Sequence, residues 1–311
     1  MNQINNLIPW NQVSYLLFVL YFRDINICFL ENFQSFMQKY LIESPDVTVI
    51  TICKNAGEDL NRTCKSVLNQ TGVKIQFLIQ DAVSTDGTIS HLSSLQDPRI
   101  DLVSEPDAGI YDAMNRAFKR VQGKWCIYLN AGDCFYSNES LSKILAEAET
   151  DDNTDVFAFS YYNEFDKTIT VHPRIISRYF LYRNGICHQT QLWKTEVLSK
   201  YLPFDQTYQI LADQHILLRA FCSGIKIKSS ELVGVLYKDM GFSSMPSVQS
   251  LKNSERLKIR SSCFSPLERL LYGSFEILLL KPLRLHFNRA FRSTALFRFY
   301  KIFANRLNRI T

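Results

Sequence analysis

Four aspartates stand where the residues around them give a carboxylate work to do. "CIYLNAGD" (126–133) is an apolar run that stops in a tight Asn130-Ala131-Gly132-Asp133 turn. A hard cation such as Mg²⁺ or Mn²⁺ needs only one or two protein carboxylates when substrate phosphates and water complete its octahedron, so Asp133 alone suffices for a metal. The alternative is an Asx-type turn in which Asp133 bonds its own backbone. "FLIQDAVSTDGT" (77–88) ends another apolar run in Asp81, placed to accept hydrogen bonds from a nucleobase, with Ser84 and Asp86 close behind. Thr85, Asp86 and Gly87 also read as simple helix capping. In "SEPDAGIYDAMNRAFK" (104–119) Asp107 and Gly109 open a helix whose first N–H groups attract anions. Ile110, Ala113, Ala117 and Val121 form its apolar stripe, leaving Asp112, Asn115 and Lys119 on another face. The fourth, Asp213 in "ADQHILL" (212–218), also reads as a helix N-cap.

The elements that carry these residues alternate. "VTVITIC" (47–53), "KIQFLIQ" (74–80), "RIDLVS" (99–104) and "KWCIYLN" (124–130) read as strands, and helical patterns separate them. Such an order predicts an α/β fold with a mostly parallel, Rossmann-like sheet and helices on both faces. Ligands of such sheets bind beyond the carboxyl ends of the strands, so Lys54, Asn55, Asp81, Asp107, Asn130 and Asp133 fall along one edge. Beyond residue 150 the pattern is weaker: strands at 155–162, 167–172 and 225–237 surround a helix at 212–222.

Composition is that of a folded protein of one large or two modest domains. The net charge of +5 is unevenly placed: residues 251–311 hold thirteen Lys/Arg against three Glu, a balance of +10, which leaves −5 for the first 250 residues. Cys28, Cys53, Cys64, Cys126, Cys134, Cys187, Cys222 and Cys263 include no CxxC pair, which speaks for a reducing compartment and against a zinc site. The longest early apolar run, Val13–Phe22, is too short to span a bilayer and lacks the basic start and cleavage site of a signal peptide. A domain starting cleanly near Met37 makes residues 1–36 an appendage or the product of a misplaced start.

Taken in order, "VTVITICKNAGEDLNRTCKSVLNQT", "FLIQDAVSTDGT", "SEPDAGIYDAMNRAFKRVQGKWCIYLNAGDCF", "ICHQTQLWK" and "ADQHILLRAF" resemble the family 2 glycosyltransferases of the GT-A type, over residues 46–222. The likeness is to bacterial members that build surface and extracellular polysaccharides. It implies transfer of a sugar, with inversion, from a nucleoside-diphosphate-sugar to an acceptor hydroxyl, assisted by a divalent cation. It further implies that Asp81 reads the nucleobase and that Thr51, Lys54 and Asn55 line the nucleotide pocket, with Asp107, Asn115 and Asn130 also on the donor side. Asp133 becomes the metal ligand in place of a DxD motif, Asp213 the general base, and His188 and Gln189 an HQ pair beside the sugar and diphosphate. The chain departs from the pattern at Asn130, for an aspartate, at Ala82 and Val83, for glycines, and at His215, where a second acid is common.

Three regions result: a 1–45 extension, a 46–240 catalytic domain, and a 241–311 basic amphipathic helical region. The last suits an anionic membrane surface. That placement fits a lipid-linked glycan acceptor and a cytoplasmic enzyme on the inner face of the plasma membrane. The other reading is a helical pair folded onto the catalytic domain. A nucleic-acid partner is not expected, since no recognition motif accompanies the charge. Rival functions are a metal-dependent nucleotidyltransferase and a non-catalytic nucleotide-sugar-binding protein.

Overall fold

A computed structural model describes residues 44–89, 92, 97–238 and 245–275. The expectations for residues 1–36, and for the tail beyond 275, lie outside the described residues. From Pro45 on, the described residues form one compact unit.

Strands β1 (Val47–Cys53), β2 (Ile75–Asp81), β3 (Ile100–Ser104) and β4 (Trp125–Tyr128) pair in parallel in the order β3-β2-β1-β4. β1 is rich in β-branched residues and buried almost throughout, as a strand covered on both faces must be. The sheet continues through β8 (Gln191–Lys194), β6 (Val156–Asn163), β9 (Ile227–Tyr237) and β5 (Cys134–Phe135), with β7 (Thr168–Thr170) on β6. β8 runs antiparallel to β4, and β6 antiparallel to β8. β9 lies parallel to β6. This alternation brings the turn before β8 and the residue after β9 to the edge where β1 to β4 end.

Successive side chains of a strand face opposite ways, which divides the core in two. Val47, Val49, Phe77, Ile79, Trp125 and Ile127 meet α1 (Gly57–Leu68) and α3 (Ser140–Ala148). Ile50, Leu78, Cys126 and Tyr128 meet α2 (Ile110–Phe118), α4 (Arg178–Arg183), α5 (Thr195–Leu198) and α6 (Ala212–Cys222) on the other face. In α2 the buried residues are Tyr111, Ala113, Met114 and Ala117, while Ile110 is 43% exposed. The expected stripe is rotated, because the helix starts after Gly109, whose φ of 129° suits glycine alone, and ends before Val121.

α7 (Gln249–Cys263) and α8 (Pro266–Phe275) belong to the basic C-terminal region. They pack on the catalytic unit. Ile259 and Phe264 enter the second core face, Arg260 stacks 3.9 Å from the Tyr182 ring, and Arg178 donates to Glu268 over 2.7 Å.

Candidate active site

At the ends of β1 and β2 the loops are knitted together. Asp81 is fully buried and accepts from Ser104 Oγ (2.6 Å), the Ser84 N–H (2.9 Å), Ser84 Oγ and Cys53 Sγ (3.5 Å). Burial opposes its charge, yet the hydrogen bonds from Ser104 and Ser84 outweigh that and hold its carboxyl below the usual range. Ser84 Oγ also accepts from the Asn55 N–H (2.7 Å), and Asn55 Oδ1 accepts from the Thr85 N–H (2.8 Å). Asn55 and Val83 both adopt positive φ, at 51° and 56°. A β-branched residue there marks a strained loop. Lys54 and Asn55 are exposed at this corner and Asp107 is half-buried. Asp86 accepts from the Thr88 N–H (3.0 Å), as the capping reading expected.

The second corner lies at the end of β4, two strands from Asp81 and so about 10 Å away. The Asn130–Asp133 turn is fixed by Thr63 of α1, whose hydroxyl accepts from the Gly132 N–H (2.9 Å) and donates to the Asp133 carbonyl (2.8 Å). Gly132 has φ of 100°, and a Cβ there would stand 3.0 Å from Lys238 Cδ. Asp133 is 4% exposed. Its oxygens accept from the Gln189 amide (3.1 Å) and the Lys238 backbone N–H (2.9 Å). Burial pushes its carboxyl up to about 6, against the lowering effect of these donors. The Lys238 ammonium passes over the turn to pair with Asp59.

From the same turn a row of polar groups runs to α6. Asn130 Oδ1 is 3.2 Å from His188 Nε2, and His188 Nδ1 is 2.9 Å from Asp213 Oδ2. Tyr111 Oη shares its one proton between the Ile210 carbonyl (2.6 Å) and Asp213 Oδ1 (3.2 Å) in a three-centre bond. Behind His188 and Asp213 lies a cleft lined by Tyr128, Gln191, Trp193 and Phe204. The four members come from α2, the end of β4, the turn before β8 and the start of α6.

Asn130, Asp133, His188, Gln189 and Asp213 are therefore brought together, and Lys54, Asn55 and Asp107 lie along the same edge. Two expected residues are used otherwise. Thr51 is fully buried and its hydroxyl donates to the Leu129 carbonyl (2.8 Å), which ties β1 to β4. Asn115 donates to the Phe204 carbonyl (3.0 Å) and accepts from the Phe204 N–H (2.7 Å), so its amide holds a loop. Asp81 has every acceptor position filled by protein, so contact with a base requires Ser84 or Ser104 to turn away. His215 packs against Tyr208 at 4.7 Å. Tyr111, Thr63 and Lys238 were not singled out by sequence; Tyr111 sits one residue from the expected stripe, and Lys238 follows the longest late strand.

A glycosyl transferase family 2 model matches residues 48–204, half of the chain. The chain belongs to glycosyl transferase family 2. A PGL/p-HBAD biosynthesis glycosyltransferase of Mycobacterium bovis is 26% identical over 216 residues, 64% of this chain and 78% of the relative. The succinoglycan biosynthesis protein ExoO of Rhizobium meliloti is 29% identical over 90 residues, 29% of this chain and 26% of the relative. Among solved structures, Staphylococcus aureus TarS 1–349 in complex with UDP superposes with a TM-score of 0.53 at 16% identity, covering 62% of this chain and 60% of that one. The mannosyltransferase PcManGT of Pyrobaculum calidifontis, in complex with GDP-Man and Mn²⁺, gives 0.51 at 16% identity, covering 78% and 83%. The family 2 chain is a glycosyltransferase, and these neighbours share its fold.

Proposed function

We propose that this glycosyltransferase moves a sugar, with inversion, from a nucleoside-diphosphate-sugar to an acceptor hydroxyl, with Asp213 as general base. The observation that carries the reading is the row Asn130–His188–Asp213–Tyr111, which sets a carboxylate beside the turn at the end of β4. A base must come within about 2.6–3.2 Å of the proton it takes, and it typically contributes on the order of 10² to 10⁴ in rate. Tyr111 and His188 each bond one oxygen of Asp213, which fixes the plane of the carboxylate while leaving lone pairs for the acceptor hydroxyl.

Asp133 fits a divalent cation in one respect that the structure makes concrete. It is a nearly buried carboxylate facing two neutral donors, and each of its oxygens keeps acceptor capacity. Among the described residues no cluster of three His, Cys, Asp or Glu side chains surrounds it, so diphosphate oxygens and water would complete the shell. A bound Mg²⁺ or Mn²⁺ supplies Lewis-acid stabilisation to the departing nucleoside diphosphate. Gln189 orients Asp133, and Lys54, Asn55 and Asp107 border the nucleotide. Two neighbours, named with UDP and with GDP-Man and Mn²⁺, support donor and cation alike.

The acceptor in this reading is a glycan, lipid-linked, of a surface or extracellular polysaccharide, in keeping with a relative named for succinoglycan biosynthesis. The basic stretch 276–311 and the exposed Leu267, Leu270 and Leu271 of α8 support contact with the inner face of the plasma membrane. No helix among the described residues is long and apolar enough to cross a membrane.

A thermal-shift panel of UDP-, GDP- and dTDP-sugars with and without Mn²⁺ tests the proposal. The expected outcome is one nucleotide family that raises the melting temperature more with Mn²⁺ than without, and releases nucleoside diphosphate on turnover. Release of pyrophosphate, or no shift with any sugar nucleotide, contradicts it.

A further inference from the structure

The catalytic aspartate of the preceding reading stands on a helix that does not cap itself. α6 begins after Leu211, which offers no capping side chain, and Asp213 is its second residue. The first N–H groups of any helix lack intrahelical partners. Here the N–H groups just ahead of α6 meet a carboxylate brought from more than forty residues downstream: Glu255 accepts from Gln209 (2.6 Å), Ile210 (3.1 Å) and Leu211 (2.9 Å). Glu255 is 5% exposed. An anion so buried is stable only where several donors converge on it, and these three belong to one short segment. The carbonyl side of that segment is held as well, since Tyr111 Oη donates to Ile210 and to Asp213 itself.

The helix that delivers Glu255 is fastened around the same segment. Lys258 donates to Thr207 Oγ1 (3.1 Å) and lies 4.4 Å over the Tyr208 ring. Arg260 donates twice to the Tyr182 carbonyl (2.8 and 3.0 Å), and Ile259 is 2% exposed. All of α7 lies beyond the residues matched by the family model.

We propose that Glu255 is a positioning residue for sugar transfer: by gripping the backbone of 209–211 it fixes the start of α6 and with it the direction in which Asp213 presents its carboxylate. The proposal rests on Asp213 being the base. A misplacement of about 1 Å costs on the order of 10²-fold in such reactions, so loss of the grip reads out in turnover and leaves donor affinity alone. The N-terminal region that borders the nucleotide makes no contact with Glu255 through these bonds.

The test is a double-mutant cycle on the full chain, with the sugar nucleotide selected by the thermal-shift panel. Donor hydrolysis gives kcat and calorimetry gives donor Kd. Glu255→Gln places an NH₂ where an acceptor stood, so at least one backbone N–H loses its partner. The expected result is a kcat lower by roughly tenfold or more, a donor Kd within about twofold of wild type, and no further loss when combined with Asp213→Asn. Wild-type kcat in folded Glu255→Gln overturns the proposal, and so does a loss that multiplies with that of Asp213→Asn. Should Glu255→Gln fail to fold, Glu255→Asp, which keeps the charge and draws it back by one methylene, is read on the same cycle by the same criteria. Wild-type turnover in Asp213→Asn alone is a separate failure: it removes Asp213 as base and this proposal with it.

Discussion

Asp81 ends β2 and Asp133 closes the turn after β4; they are 0% and 4% exposed and are driven in opposite directions. Burial works against the charge in each. At Asp81 two serine hydroxyls and a backbone N–H overcome it, whereas at Asp133 one amide and one backbone N–H do not, and the carboxyl rises to about 6. The chain thus holds one carboxylate satisfied by protein and one left short of positive charge. Asp81 is in this sense a keystone of the loops that follow β1 and β2. Asp81→Asn is expected to orphan a buried hydroxyl or N–H and to cost roughly 2–3 kcal/mol. For a domain of this size that lowers Tm by roughly 4–10 °C in calorimetry. An unchanged Tm with lost nucleotide affinity would mean that Asp81 serves the base instead. Sequence made these aspartates visible, because a carboxylate closing an apolar run is conspicuous. It could not say which serines would reach Asp81, since Ser104 is 23 residues away along the chain.

At the scale of elements, β1, β2 and the helix Ala212–Cys222 lie where their patterns put them to within a residue or so. β1 is an unbroken, largely β-branched run, β2 is a mostly apolar run of strand length, and the helix is apolar on more than one face, which leaves little choice of element. The short helices α4 and α5, of six and four residues, and the 3₁₀ turn His188–Thr190 left no such periodicity to read. For the C-terminal region the sequence left two readings open, a membrane surface and a helical pair folded onto the catalytic domain, and within the described residues α7 and α8 pack on that domain. Residues 251–311 carry a balance of +10, yet Glu255 and Glu268, two of their three acids, make contacts that dock α7 and α8. A lone acid in a basic segment is the signal that was available. The Glu268 pair is testable by pH. Its hydrogen bonds from Arg178, with the Ser265 N–H, hold the Glu268 carboxyl down at about 2. A depressed carboxylate stabilises the native state above its ordinary pKa, near 4.5, and that share is lost as pH falls from there through about 2. Amide exchange in residues 266–275, corrected for intrinsic rate, is expected to accelerate between these values while β1 stays protected. Equal protection of both segments across the range would show that the pair does not hold α8.

For the whole molecule, the two ends of the sequence carry different charge for different reasons. Within the acidic first 250 residues Asp81, Asp107, Asp133 and Asp213 lie along one sheet edge, and the basic remainder first docks on that unit through α7 and α8 and then continues into 276–311. Truncation after residue 275 is therefore expected to leave donor hydrolysis intact and to abolish flotation with anionic liposomes. Retained flotation would place membrane contact outside residues 276–311, with the exposed leucines of α8 the first candidates. The β4 turn, the HQ pair and the start of α6 converge on one site. Calorimetry and nucleoside-diphosphate release, measured side by side on Asp213→Asn, test it most directly. Donor Kd is expected to stay within about threefold of wild type while kcat falls by roughly 10²-fold or more; undiminished release from a folded Asp213→Asn protein would contradict Asp213 as the base.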